Sequence, residues 1–306
     1  MDELNRSLAE IEGGCTACGN CVNQCTYLQY FGTPAAQALR FKLGDLEPHV
    51  IYSCSLCGLC DVFCPEGLRP SEMFRQMRCR LVEEGRGPLK QHRRILAYEK
   101  RGLSKLFSLE MLPRNCRTVF FPGCALAGCG HQLVDRLFQL LNKHIEDLGI
   151  VLNCCTKPSY DLGRAAFFEE RFSALKNHLR ARGVNTVLTA CPSCHQIFSR
   201  YAAGLEIKTV YEVLADTIDG HPDTIIEEEM RAGMTIHDPC AIRFDQTVQK
   251  SVRALATQLG CDVREMKHSR KKTFCCGEGG AASWVAPKIT EQWSLKRKSE
   301  SGAAPV

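Results

Sequence analysis

Cysteine spacing sets the chemistry this sequence can do. Of 20 cysteines, eight fall in two runs, Cys15-x2-Cys18-x2-Cys21-x3-Cys25 and Cys54-x2-Cys57-x2-Cys60-x3-Cys64, the second followed by Pro65. Three thiolates at this spacing can wrap one corner of an iron–sulfur cubane while the amides of the tight loop face its sulfides. The fourth thiolate is aimed away and, in two-cluster domains, ligates the other cluster. The pattern assigns Cys15, Cys18, Cys21 and Cys64 to one [4Fe–4S] cluster, and Cys54, Cys57, Cys60 and Cys25 to a second. Zinc sites use pairs of Cys around a long spacer, four ligands in all, and two full runs overfill that template. Gly19 and Gly58, each directly after the second Cys of its run, suit a tight loop.

A further set is less regular. Cys124 is followed after 29 residues by Cys154–Cys155, and after 35 more by Cys191-Pro-Ser-Cys194. Five thiols, two of them adjacent, exceed what a cubane uses. They fit either an unusual cluster with five thiolate ligands, or four ligands plus one free reactive thiol. Cys240, Cys275 and Cys276 repeat the beginning of this pattern, but no CxxC follows them. Cys191 lies 36 positions after Cys155, and the same step from Cys276 points to about residue 312, past Val306. A shortened form of a longer protein is expected, or a vestigial second site. Three thiols there could hold a smaller cluster or contribute to the first.

The elements that must position these thiols divide the chain in three. Residues 1–88 hold both runs among helical stretches: PAAQALRFKLGDLEP (34–48) is bounded by prolines, and Ser71 can cap a helix in which Met73, Met77 and Leu81 recur at i+4. Residues 89–115 read as a basic connector without strand signals. From 116 to 306, short β-rich runs alternate with helical stretches in two related halves, about 116–225 and 226–306. RTVFFPGC (117–124) and MTIHDPC (234–240) each end at a cysteine, while GIVLNCC (149–155) and KTFCCG (272–277) each carry a cysteine pair. The expected class is α+β overall: a mostly helical two-cluster ferredoxin domain, then an α/β cysteine-rich domain whose ligands gather at strand ends.

Bulk properties narrow the setting. The chain has 306 residues, 44% hydrophobic, enough for two ordinary cores without disulfide staples. Its polar start lacks a secretory n-region, and no run approaches the ~18 apolar residues of a spanning helix. Thiols at ligand spacing in a reducing compartment read as metal binding. The expected location is the cytoplasm, or the inner face of a membrane through a partner. A net charge of +5 is too small to suggest nucleic acid. Residues 66–106 nevertheless hold eleven Lys/Arg against five Asp/Glu, which is either a solvated helix face or a docking surface for an acidic partner or anionic membrane.

The motifs ending at Cys124, the Cys154–Cys155 pair, ACPSC (190–194), HDPC (237–240) and CCGEGG (275–280) resemble the cysteine-rich repeat of heterodisulfide reductase catalytic subunits. The same repeat occurs in iron–sulfur subunits of glycolate, lactate and anaerobic glycerol-3-phosphate dehydrogenases, and in a subunit linked to sulfite reduction. The ferredoxin motifs in front match the fused members of that family. The resemblance implies a noncubane [4Fe–4S] cluster on Cys124, Cys154, Cys155, Cys191 and Cys194, where a small disulfide would be split at Cys154 and Cys155. Thr156 departs from the family, which usually has Gly there.

His195 and His237 are candidates to donate a proton or tune a cluster, with a plain structural role as the alternative. Arg164 and Arg243 could bind an anionic group. Cys79, Cys116, Cys129 and Cys261 fit no motif and read as ordinary thiols, with Cys129 a candidate spare ligand. Without a Gly-rich dinucleotide fingerprint, no flavin or nicotinamide is expected in this chain. The expectation is an iron–sulfur electron-transfer subunit of a multi-subunit anaerobic oxidoreductase, served by a flavoprotein or by a membrane cytochrome or quinone-linked subunit. The alternative is a non-catalytic wire of a flavin-dependent hydroxyacid or glycerol-3-phosphate dehydrogenase.

Overall fold

A computed structural model describes residues 2–217 and 233–302. The chain forms an α+β structure that divides into two compact units, and sequence order does not follow the division. The first unit joins Met1–Leu96 to Pro158–Phe168 and Lys271–Gly302; the second holds Ala97–Lys157 and Glu169–Arg270.

The first unit is helical because its apolar residues recur at helical spacing and its prolines start helices. The helix Pro70–Glu83 buries Met73, Phe74, Met77 and Leu81 along one stripe. Around it pack Leu4, Leu8 and Ile11 of the helix Glu3–Gly14, Ile51 and Tyr52 of the helix Pro48–Tyr52, and Trp293 of the helix Pro287–Ser301. Ser71 does not cap its helix as the sequence suggested. Pro70 already lies inside the first turn, and the Ser71 N–H and hydroxyl both donate to the Asp61 carboxylate, at 2.9 and 2.5 Å.

The second unit is built on a five-stranded sheet. Its strands are β1 (Leu109–Met111), β2 (Thr118–Phe121), β3 (Gly149–Leu152), β4 (Thr186–Thr189) and β5 (Glu206–Thr209), in the order β1-β3-β2-β4-β5. β1 runs antiparallel to β3, and the other neighbours are parallel. A separate parallel pair joins β6 (Met234–Thr235) to β7 (Val263–Arg264).

Two expectations change. Residues 89–115 do contain a strand, β1, whose three residues are all exposed and so lack the alternation that marks a half-buried strand. KTFCCG is not a strand either: Thr273–Cys276 is irregular, and Cys275 is fully buried in the helical core of the first unit. There the segment is held by side-chain packing, with Phe274 against Trp293 at a ring separation of 5.9 Å, rather than by a sheet partner.

Candidate metal centres

In the first unit the two cysteine runs form loops of the same shape. The residue before the second Cys, Ala17 or Leu56, takes φ +52, and the glycine after it, Gly19 or Gly58, takes φ +79 or +68. Left-handed residues on both sides of one thiol fold the loop tightly, a conformation that costs about 1–2 kcal/mol at a non-glycine residue. The Leu56 N–H already donates to Cys54 Sγ, at 3.4 Å.

Each loop closes over a cavity. One, about 400 Å³ counting the space open to solvent, is lined by Cys15, Cys18, Cys21 and Cys64, with Ile11 and Leu68. The other, about 340 Å³ counted the same way, is lined by Cys25, Cys54, Cys57 and Cys60, with Tyr27, Phe74 and Trp293. In each, the fourth thiol comes from the other run. Among the described residues no three His, Cys, Asp or Glu side chains converge closely enough to hold a single metal ion. The thiols surround a space instead, which suits a polynuclear group.

Burial pushes the Cys21 thiol up to about 11 and Cys54 to about 12, and raises Cys25 and Cys60 well above the usual range. Thiolates so placed need compensating cations, which iron would supply. A guanidinium also stands near: Arg78, fully buried, donates to the carbonyls of Ile51, Tyr52, Cys54, Asp161 and Gly280.

The second unit gathers the other five thiols by topology. β2, β3 and β4 are parallel neighbours, so their carboxyl ends share one sheet edge, where α/β sheets place ligands. Cys124 follows β2, Cys154–Cys155 follow β3, and Cys191 follows β4. Cys194 Sγ lies 3.3 Å from Cys155 Sγ. A Cβ added to Gly123 would stand 2.8 Å from Cys191 Cβ and 3.0 Å from Cys194 Sγ, so only glycine lets Cys124 approach this closely. A hydrogen bond from Cys154 lowers Cys124 to about 7, and one from Cys194 lowers Cys191 to about 6. Cys191 also stands at the N-terminal end of the helix Pro192–Tyr201, where the helix amides favour a thiolate.

Thr156 holds the left-handed position, at φ +57, that Gly277 holds after the second cysteine pair, at φ +94. Its N–H donates to Cys154 Sγ at 3.4 Å, as that of Gly277 does to Cys275 Sγ at 3.3 Å, so the loop keeps its shape without the glycine.

Of the remaining candidates, His195 is buried with Nε2 2.9 Å from Asp245 Oδ2 and Nδ1 3.3 Å from Thr189 Oγ1. The motif that ends at Cys240 is braced by Asp238, which accepts two hydrogen bonds from Arg253, at 2.8 and 2.9 Å. Cys240 belongs to the second unit and Cys275–Cys276 to the first. Cys79 and Cys116 are buried, Cys261 is half-buried and Cys129 is exposed. Sequence reasoning missed Arg78, Trp293 and the strained Ala17 and Leu56. For Arg78 the available signal was a charged residue directly beside the apolar stripe of its helix.

Comparison with known proteins gives a concordant picture. Residues 14–69 match the family described as a 4Fe-4S dicluster domain, and residues 118–199 and 234–301 match the cysteine-rich domain. The chain is 26% identical to one of the subunits of the fumarate reductase (CoM/CoB) of Methanothermobacter marburgensis, over 93% of this chain and 62% of that protein. It is 23% identical to one of the subunits of the dihydromethanophenazine:CoB--CoM heterodisulfide reductase of Methanosarcina acetivorans, over 90% of this chain and 80% of that one. EtfAB:quinone oxidoreductase of Syntrophomonas wolfei is 23% identical over 82% of this chain and 39% of its own length. No solved structure gives a significant match. No helix among the described residues is long and apolar enough to cross a membrane.

Proposed function

The chain is a heterodisulfide reductase-like iron–sulfur protein, a 4Fe-4S dicluster domain followed by two stretches of the cysteine-rich domain, and from that premise we propose that it is the electron-transfer subunit of a multi-subunit reductase whose second unit reduces a small disulfide. The observation that carries this reading is the convergence of five thiols on one edge of the parallel sheet. A wire needs no such set beyond its two four-thiol cavities.

In this proposal Cys15, Cys18, Cys21 and Cys64 hold one cubane, and Cys25, Cys54, Cys57 and Cys60 the other. Cys124, Cys154, Cys155, Cys191 and Cys194 hold a noncubane [4Fe–4S] cluster. When bound, such clusters supply electrons one at a time. The balance is one disulfide, two electrons and two protons in, two thiols out. A flavoprotein or membrane-linked subunit supplies the electrons. Cys154 and Cys155 are proposed to stand at the reacting sulfur. His195 acts as a positioning residue, since its bond to Asp245 ties the Cys191–Cys194 helix to the loop after Cys240.

The test is iron and sulfide content with EPR on anaerobically purified protein, before and after adding thiol or disulfide. About twelve irons per chain, with a thiol-sensitive signal beyond the two cubanes, are expected. In the complex, Cys155→Ala should abolish disulfide turnover; undiminished turnover would remove the catalytic assignment. About eight irons and no thiol-sensitive signal would leave the wire reading, which the likeness to EtfAB:quinone oxidoreductase favours.

A further inference from the structure

The five thiols have a neighbour that electron transfer does not explain. Among the described residues, four of the twelve exposed large apolar side chains fall within six positions of the second unit: Leu106, Phe107, Leu109 and Met111. Leu106 is 90% exposed and Phe107 66%. Lys100, Arg101, Lys105 and Arg114 flank them, all exposed. Of the two acids of this stretch, Glu99 is buried and Glu110, exposed, is hydrogen-bonded to His178 at 2.7 Å, against four exposed cations. The strand β1 within it lies at the sheet edge, with Leu109 and Met111 pointing away from the Glu110 side.

We propose that residues 100–114 form a peripheral anchor that places Leu106 and Phe107 among the acyl chains of an anionic bilayer, with Lys100, Arg101, Lys105 and Arg114 on its headgroups. The charge complementarity selects the occupant. Bulky apolar side chains at the tip of a basic segment are the composition that binds the membrane interface, whereas an acidic protein would need an apolar groove to receive them. The same segment touches the thiol site. The Tyr98 hydroxyl donates to the Cys124 carbonyl at 2.8 Å, and a methyl on Gly102 would lie 3.1 Å from Cys154 Cβ. Leu106 lies four positions after Gly102, a span of at most about 14 Å. An anchored tip would therefore hold the five-thiol site close to the bilayer surface.

The experiment is flotation of the full chain, clusters loaded, with vesicles of phosphatidylcholine alone or mixed with phosphatidylglycerol. The protein should float with the mixed vesicles and be released by high salt. The double variant Leu106→Ser/Phe107→Ser and the triple variant Lys100→Gln/Arg101→Gln/Lys105→Gln should each bind about tenfold more weakly, or worse. Wild-type protein that stays at the bottom of the gradient would overturn the proposal. So would variants that float as well as wild type, or variants that keep lipid binding and lose only a partner subunit. Iron content of the same samples separates the two proposals: a full complement of iron with no flotation removes the anchor and leaves the electron-transfer reading standing.

Discussion

Arg78 shows what a single side chain can govern here. Its guanidinium is fully buried and its five carbonyl partners come from three stretches of the chain. Removing the group leaves those carbonyls without their donor, and orphaned buried groups cost about 1–3 kcal/mol apiece before relaxation. Arg78→Met should therefore lower stability by at least ~3 kcal/mol in denaturant titrations. Where folded protein is recovered, the midpoint potential of the centre proposed on Cys54 should move negative, because a cation that favours the more reduced state is gone; Arg78→Lys should keep most of the potential. A potential unchanged in Arg78→Met would sink this electrostatic role. Gly163 makes a second prediction: at φ +81, an added Cβ would stand 2.4 Å from the Arg78 carbonyl carbon. Gly163→Ala should cost several kcal/mol, read as a fall of about 10 °C or more in the unfolding midpoint. The sequence made the cysteines of the two runs legible because ligand spacing is a local property. It hid Arg78, whose partners lie up to 202 positions away, and it hid the positive φ of Ala17, Leu56 and Thr156, which loop closure imposes on residues with no preference for it.

At the scale of elements, β2, β3 and β6 were legible as short runs ahead of a cysteine, while β1, β4, β5 and β7 were not singled out. β2 and β3 announce themselves as short apolar runs before Cys124 and Cys154. β1 is three exposed residues, and KTFCCG has the composition of a strand but is buried among helices, where packing overrides propensity. The loop that presents Cys240 depends on Asp238, 2% exposed and accepting from both terminal guanidinium nitrogens of Arg253, which also donates to Glu265. Breaking a buried ion pair strands its partner. Asp238→Asn should cost roughly 2–4 kcal/mol in chemical denaturation, while the exposed pair of Arg264 with Asp262 should cost under about 1 kcal/mol when removed. Equal losses from both would mean that the Asp238 network contributes nothing beyond a surface pair.

For the whole molecule, acid sensitivity has an identifiable contributor. Burial, aided by the Arg78 charge, holds His92 down to about 4, against an ordinary 6.5, while its Nδ1 accepts the Leu89 N–H at 3.1 Å. The unfolded chain binds this proton more readily. Stability from a neutral His92 is thus complete above about pH 6.5 and lost as the pH falls toward and through 4. Unfolding midpoints should drop across that window, and His92→Asn, which keeps an acceptor for Leu89, should flatten the drop; parallel curves would exclude His92 as the source. Stripping iron with oxidant and chelator should lower the midpoint of the helical unit by about 10 °C or more, because Cys25, Cys54 and Cys60 belong to its core and Cys15, Cys21 and Cys57 pack against it.

The makeup of those two cavities bears on how the protein is born. The first is walled entirely by residues between Ile11 and Pro70, so its pieces are present early in translation. The second includes Trp293, which a ribosome adds long after the last of that cavity's cysteines, Cys60. A nascent chain could mature its first centre while still being synthesised, but must have grown past Trp293 before the second is enclosed. Cofactor insertion would then follow a timetable written by chain order, and a premature stop just before Trp293 would damage a cysteine-lined site whose cysteines had all been translated far upstream.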